Sequence, residues 1–184
     1  MVLMEKEQNW RPAALALVVL GVVARLLPHP PNFSPVGSAS LFAGARLSGW
    51  KAYLIPLSIM VVTDPILAVM KYHVAPYTSY QVFIYLSFML SVAIGRFLGA
   101  TQSVPRIALA SLINSTQFFL ISNFAVWVGS TEFAHTGAGL AACYVVAIPF
   151  FAYTAFGDLF FAGAIFGLYA WLSHTHKARQ LSNA

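Results

Sequence analysis

The chain has 184 residues, of which 59% are hydrophobic and only 8% charged, with a net charge of +5 and a mean hydropathy of +0.76. A soluble domain carries roughly 25% charged residues, so this composition excludes one and predicts an all-α polytopic membrane bundle. A hydrocarbon core about 30 Å thick takes about 20 apolar residues per crossing, which gives about six transmembrane helices in one integral membrane domain and leaves no room for an extramembrane catalytic domain.

Met1 to Trp10 is polar and acidic and belongs to an N-terminal tail, 1–11. No small-residue cleavage site follows the first apolar run, so that run reads as a retained span from about Pro12 to Leu27, with Arg25 near its far end, where it can snorkel. Pro28-His29-Pro30-Pro31-Asn32-Phe33-Ser34-Pro35 comes next. Its prolines fix φ, remove backbone donors and bias each preceding residue away from helix, so it is a loop. A His, an Asn, a Ser and a Phe on a semi-rigid backbone suit a lid or wall over a ligand site at one membrane face, with Asn32 and Phe33 as candidate contacts.

Val36 to Leu47 is short for a crossing and is expected to be a tilted or re-entrant helix. Its Ala39/Ala43 and Ser40/Gly44 pairs permit close helix packing. Arg46 to Lys51 is a basic turn, Trp50 to Met70 a span holding Asp64-Pro65, and Lys71 to Ser79 a polar loop with His73 and Pro76. Tyr80 to Leu98 and Arg106 to Val128 are spans, and Gly129 to Gly139 is a loop with Glu132 and His135. The last apolar run, Leu140 to Leu172, exceeds one simple helix; Pro149 is expected to divide it, leaving 173–184 as a C-terminal tail.

With the N-terminus in the cytoplasm, Lys6, Arg11, Arg46, Lys51, Arg96, Arg106, Lys177 and Arg179 fall inside and only Arg25 and Lys71 outside. The positive-inside rule therefore predicts both tails cytoplasmic and the loops near His29, His73 and His135 outside. Were the short second segment not a span, the later loops would exchange sides and this separation would largely vanish. The positive charge reports orientation, and no nucleic-acid patch is visible in it.

Polar residues inside spans carry the functional information, because each is costly unless it faces the bundle interior or a wet cavity. Ser111, Asn114, Ser115 and Ser122 share about a third of the fifth span's circumference, with Gln117 and Asn123 flanking. The serines read as interhelical hydrogen-bonding groups; Gln117, Asn123 and Trp127 are candidate contacts to a small polar-aromatic ligand. Asp64, before Pro65, reads as one half of a structural pair with Arg96 or Arg25, or as a kink lock. Asp158, following Tyr153, Thr154 and Gly157, is open between a ligand contact, a proton site and a structural acceptor, and Tyr153 is taken with it as a candidate ligand contact.

His29, His73, His135 and Glu132 fall on the outer side in this arrangement, but no two histidines have ligand spacing on a shared helix. No metal site is assigned; His73 and His135 are the residues such a site would use. The one cysteine, Cys143, excludes an intrachain disulfide and a Cys-cluster site, and reads as a small buried apolar residue.

Pro30 to Gly44 (PPNFSPVGSASLFAG), Phe118 to Trp127 (FFLISNFAVW) and Gly139 to Gly167 (GLAACYVVAIPFFAYTAFGDLFFAGAIFG) together resemble a family of small bacterial membrane proteins described as transport proteins of unknown substrate. That family is similar in size and span count to the S-components of energy-coupling-factor (ECF) vitamin transporters. The resemblance implies six helices, cytoplasmic termini in a bacterial inner membrane, and an outer-face pocket for a vitamin-like or cofactor-like nutrient, covered by the loop after the first helix. S-components that dock a shared energising module typically carry Ala-xxx-Ala in the first helix. Here Ala13, Ala14 and Ala16 are followed four residues later by Leu17, Val18 and Leu20, so both a module-dependent protein and a solitary uptake protein, as known among cobalamin S-components, stay open. No cofactor is assigned, and cobalamin stands as one candidate for transport.

The expected function is thus a membrane transporter or S-component-like substrate-binding subunit, not an enzyme. There is no Gly-x-Ser-x-Gly, no His-Glu-x-x-His and no nucleotide-binding motif, so any ATP hydrolysis would come from another protein. The alternatives are a structural or assembly membrane protein and, further off, an intramembrane enzyme.

Overall fold

The computed structural model describes residues 10–73 and 80–182; the acidic residues before Trp10, the Pro76 part of the third loop and the last two residues lie outside the described residues. Among the described residues the chain is all-helical: α1 (Trp10–Leu26), α2 (Val36–Arg46), α3 (Leu54–Leu67), α4 (Gln81–Leu98), α5 (Val104–Gly129) and α6 (Gly137–Ser182). A 3-10 turn, Gly49–Tyr53, leads into α3, and a π turn, Ala68–Tyr72, extends it. Four segments are long and apolar enough to cross a membrane: Gly49–Lys71, α4, α5 and the Gly137–Thr175 part of α6. Helix α1 is a shorter apolar helix over Ala14–Leu26.

Local chemistry sets several boundaries. Pro105 opens α5, where a missing N–H costs nothing. Helix α4 stops at Gly99, whose positive φ of 54° turns the chain while its N–H returns to the Arg96 carbonyl at 3.2 Å. Pro65 removes one bond from the α3 ladder, and the helix then widens into the π turn, which ends at left-handed His73 with its N–H on the Ala68 carbonyl.

Cross-helix contacts fix the direction of each segment. Gly21 of α1 packs on Ile59 of α3, and Arg25 reaches Thr63 and Asp64, so α1 and α3 run parallel. Helix α2 must therefore bring the chain back between them. Arg96–Gly49 with Tyr85–Asp64, Phe83–Phe124 with Phe88–Phe118, and Tyr144–Leu120 with Ser115–Asp158 make α3/α4, α4/α5 and α5/α6 antiparallel in turn.

At 1.5 Å per residue the 11 residues of α2 cover only about 16 Å, roughly half the hydrocarbon thickness. Residues Val36 through Gly44 are all buried. Its Val36, Ala39 and Ala43 form a core with Ile55, Ile59 and Met60 of α3 and Phe88 and Val92 of α4. A methyl on Gly44 would strike the Val92 carbonyl, and one on Gly95 the Leu41 carbonyl, so α2 and α4 are in backbone contact. Arg46 ends α2 by donating to the carbonyls of Gly99 and Thr101 at 2.6 and 2.7 Å, with its guanidinium over the Phe166 and Tyr169 rings. Arg96 likewise donates to the Gly49 carbonyl at 2.6 Å, so the α2–α3 and α4–α5 turns are clamped side by side.

One expectation is corrected. Pro149 does not divide the last apolar run: α6 continues through it from Gly137 to Ser182, and 173–182 is helical. Helix α5 acts as the splint, because Phe119 packs on Tyr144 before the proline and on Phe151 after it, at ring-centroid distances of 5.5 and 5.1 Å. Proline is tolerated in such helices when neighbours fix the path.

Because the α2–α4 crossing has no room for a side chain, Gly44→Val and Gly95→Val are each expected to cost about 3 kcal/mol or more. Gly163→Ala, at an α6 position with nothing nearby, should stay within about 0.5 kcal/mol. Thermal unfolding of the three variants in detergent measures both.

Candidate ligand-binding site

Because α2 begins deep in the bundle, a space is left beyond its first turn. It is a cavity of about 320 Å³ lined from α1, the proline loop and all five remaining helices. The volume is at the small end of ligand sites.

The buried end is polar. Asp158 of α6 is only 4% exposed. Its Oδ2 accepts from Asn114 Nδ2 at 3.0 Å and from Ser115 Oγ at 2.7 Å, while Oδ1 faces Gly37 so closely that a methyl there would overlap it. Ser38 Oγ donates to the Asp158 main-chain carbonyl at 2.8 Å, tying α2 to α6 at the same level. Thr154, one turn earlier on α6, also lines the space.

A second polar wall is an ion pair. Arg25 Nη1 lies 2.6 Å from Asp64 Oδ1 and also donates to Thr63 Oγ1, while Gln81 and Tyr85 donate to Asp64 Oδ2, the latter at 2.9 Å. Asp64 is thus paired across α1, α3 and α4, with Arg25 as its cation. Arg96 is committed to Gly49. Between the two polar regions the lining is apolar, with Met60, Leu67, Ile84 and the paired rings of Phe88 and Phe118, whose centroids are 5.2 Å apart.

The proline loop forms part of the rim through His29, Asn32 and Ser34. His29 sets its ring nitrogens 3.0 and 2.8 Å from the carbonyls of Arg25 and Pro30, and Phe33 N–H closes a turn on the Pro30 carbonyl at 3.1 Å with Asn32 left-handed at φ 62°. Phe33 lies over Gly157 and packs among Phe156, Phe160 and Phe161 of α6. The loop is therefore fastened to α1 at one end and to α6 at the other.

Of the residues singled out from sequence, Asn32 and Asp158 line this cavity, and Phe33 anchors the loop beside it. Gln117 stands one layer behind: its amide nitrogen reaches Asn114 Oδ1 and Ser91 Oγ, both at 3.2 Å, and its oxygen accepts from Ser87 Oγ at 3.1 Å. It thereby orients Asn114 toward Asp158. Asn123 donates to the Phe119 carbonyl of its own helix, while Trp127 donates to the Ala134 carbonyl and packs on His135, so Trp127 serves the α5–α6 loop. Tyr153 is on the outer face of α6 at 46% exposure. His73 is exposed, and no group of three metal-ligating side chains occurs among the described residues. Gly37, Asn114, Gln81, Phe88 and Phe118 are among the lining residues that the sequence does not single out as ligand contacts. Asn114 was visible as part of a polar face; a lone glycine or phenylalanine in an apolar run gives no comparable signal.

Removing one half of the ion pair should be costlier than removing both. Arg25→Leu leaves the Asp64 carboxylate buried without its cation and should cost about 3–5 kcal/mol, whereas Arg25→Leu/Asp64→Leu should cost less than Arg25→Leu alone. A double-mutant cycle on unfolding in detergent reads the difference.

No curated protein matches the sequence. The model for a family described as "Family of unknown function (DUF6580)" matches residues 6–181, nearly the full length, and the chain belongs to that family.

Proposed function

We propose that this protein captures a small organic nutrient, vitamin-like or cofactor-like, in the cavity beneath the proline loop and passes it across the membrane, as a transporter or as the substrate-binding subunit of one. The observation that carries this reading is the cavity itself, in which a buried Asp158–Asn114 pair and a braced Arg25–Asp64 pair converge on a space with an aromatic wall. A few placed polar groups in an otherwise apolar concavity are what small-molecule recognition requires. A loop held at both ends over a bundle also matches what the likeness to ECF S-components implies. The neighbouring turns that hold Arg46, Lys51 and Arg96 favour that end as the cytoplasmic one and the cavity as outward-facing, in a bacterial inner membrane. Energising by an ATPase module and solitary action both fit this reading. A purely structural protein would use the Ser87–Gln117–Asn114 bonds as glue but has no need of the cavity.

A panel of vitamins and cofactor precursors tests the proposal by thermal shift. A ligand at a hundred-fold excess over its Kd should stabilise the protein by about 2.7 kcal/mol. Ala68→Phe, which puts a ring into the space from the π turn, should abolish that shift while the unliganded protein stays folded. A panel with no shift at all, or a shift that survives Ala68→Phe, would contradict ligand capture in this cavity.

A further inference from the structure

The cations around the cavity are unevenly placed. Its lining holds two carboxylates, Asp64 and Asp158; the Arg25 guanidinium is on Asp64, and His29 at the rim has both ring nitrogens on main-chain carbonyls. Asp158 has no cationic partner among the described residues; what it has is Asn114 Nδ2 and Ser115 Oγ, both neutral and both on Oδ2. Neither donor carries a charge, so neither neutralises the carboxylate. A charge held this way at membrane depth is costly until a counter-charge arrives.

Asp158 lines the cavity, and because both of its side-chain donors are on Oδ2, Oδ1 is the oxygen left for a further partner; it sits tight against Gly37, where even a methyl would overlap it, so a counter-charge approaches from the cavity and not between the carboxylate and α2. A bare metal ion is poorly served: Asn114 turns its nitrogen to Asp158 and its oxygen to Gln117, and no three-residue ligand group is present among the described residues. The Phe88 and Phe118 rings offer an apolar, cation-tolerant surface in the same space. Building on the ligand-capture reading, we propose that the substrate is a compact organic cation whose ammonium, amidinium or protonated ring nitrogen docks on Asp158, with its body against the Phe88 and Phe118 rings. The Arg25–Asp64 pair then acts as a neutral wall, and an anionic nutrient is rejected by the uncompensated carboxylate.

Three matched probes of one shape test the charge: benzamidinium, benzamide and benzoate, titrated calorimetrically into the full chain in nanodiscs. Wild type should bind benzamidinium at least about ten-fold more tightly than benzamide, and benzoate least. In Asp158→Asn, isosteric and still able to accept from Ser115, the ten-fold preference should collapse to about two-fold or less. Equal binding of the three by wild type, a preference for benzoate, no binding of any probe, or a cation preference that survives Asp158→Asn would each overturn the proposal; the wild-type comparison stands even if the variant does not fold. A neutral or anionic molecule found bound to the protein would overturn the charge assignment alone, whereas a panel without any thermal shift would overturn the ligand-capture reading beneath it.

Discussion

The constraint on which the rest of the structure depends is the burial of an 11-residue helix on every side within a membrane bundle. Inside the bundle no bulk water can satisfy its ends, so α2 needs partners from the protein itself. At its N-terminal end Val36 N–H reaches Ser34 Oγ at 3.4 Å, and at its C-terminal end the Ala43 carbonyl accepts from Leu47 N–H at 2.8 Å; the Ser38 and Arg46 side chains then tie the two ends to α6 and to the α4–α5 turn. Its flank is closed by the glycine contact with α4, where dispersion between backbones replaces a hydrophobic driving force that lipid does not supply. A full-length helix would have filled the bundle. A short one leaves a cavity beyond its first turn, and the loop that enters it becomes part of that cavity's wall.

Polar groups deep in the helices then divide into two kinds of work. Ser87, Ser91 and Gln117 join α4 to α5, with contacts of this sort worth about 0.6 kcal/mol each. The same chain of bonds continues through Asn114 to Asp158, so the glue between two helices also sets the angle of the amide that faces the carboxylate. Structural and binding roles are therefore successive layers of one network. Arg25–Asp64 repeats the pattern on the other side, bracing α1, α3 and α4 while presenting a neutral face to the cavity.

Much of this was legible in the sequence. Composition alone dictates a membrane bundle, prolines dictate the loop, and the Ala39/Ala43 and Ser40/Gly44 spacing marks α2 as a close-packing helix. Arg25 is one of the two cations the sequence offers Asp64, and its place in the last turn of α1 lets it reach. What periodicity does not give is depth along neighbouring helices. Gln117 and Asn114 lie one turn apart on the same helix, yet only the relative heights of α4 and α6 decide that Asn114 meets the cavity and Gln117 backs it. Asn123 and Trp127 are about two and three turns further along, level with Cys143 of α6 and with the α5–α6 loop respectively, and Tyr153 lies on the α6 face turned away from the bundle. The continuity of α6 through Pro149 depended on Phe119 of another helix, which no local rule about proline contains.

The measurement that tests ligand capture most directly is analysis of the protein purified in mild detergent without added substrate, by native mass spectrometry and by extraction of any bound molecule. Capture in this cavity predicts one small molecule per chain, retained by the wild type and lost on Ala68→Phe. A folded wild-type protein that is empty, and that retains none of the nutrients present in the cells it came from, would contradict it and leave the buried polar network as structure alone.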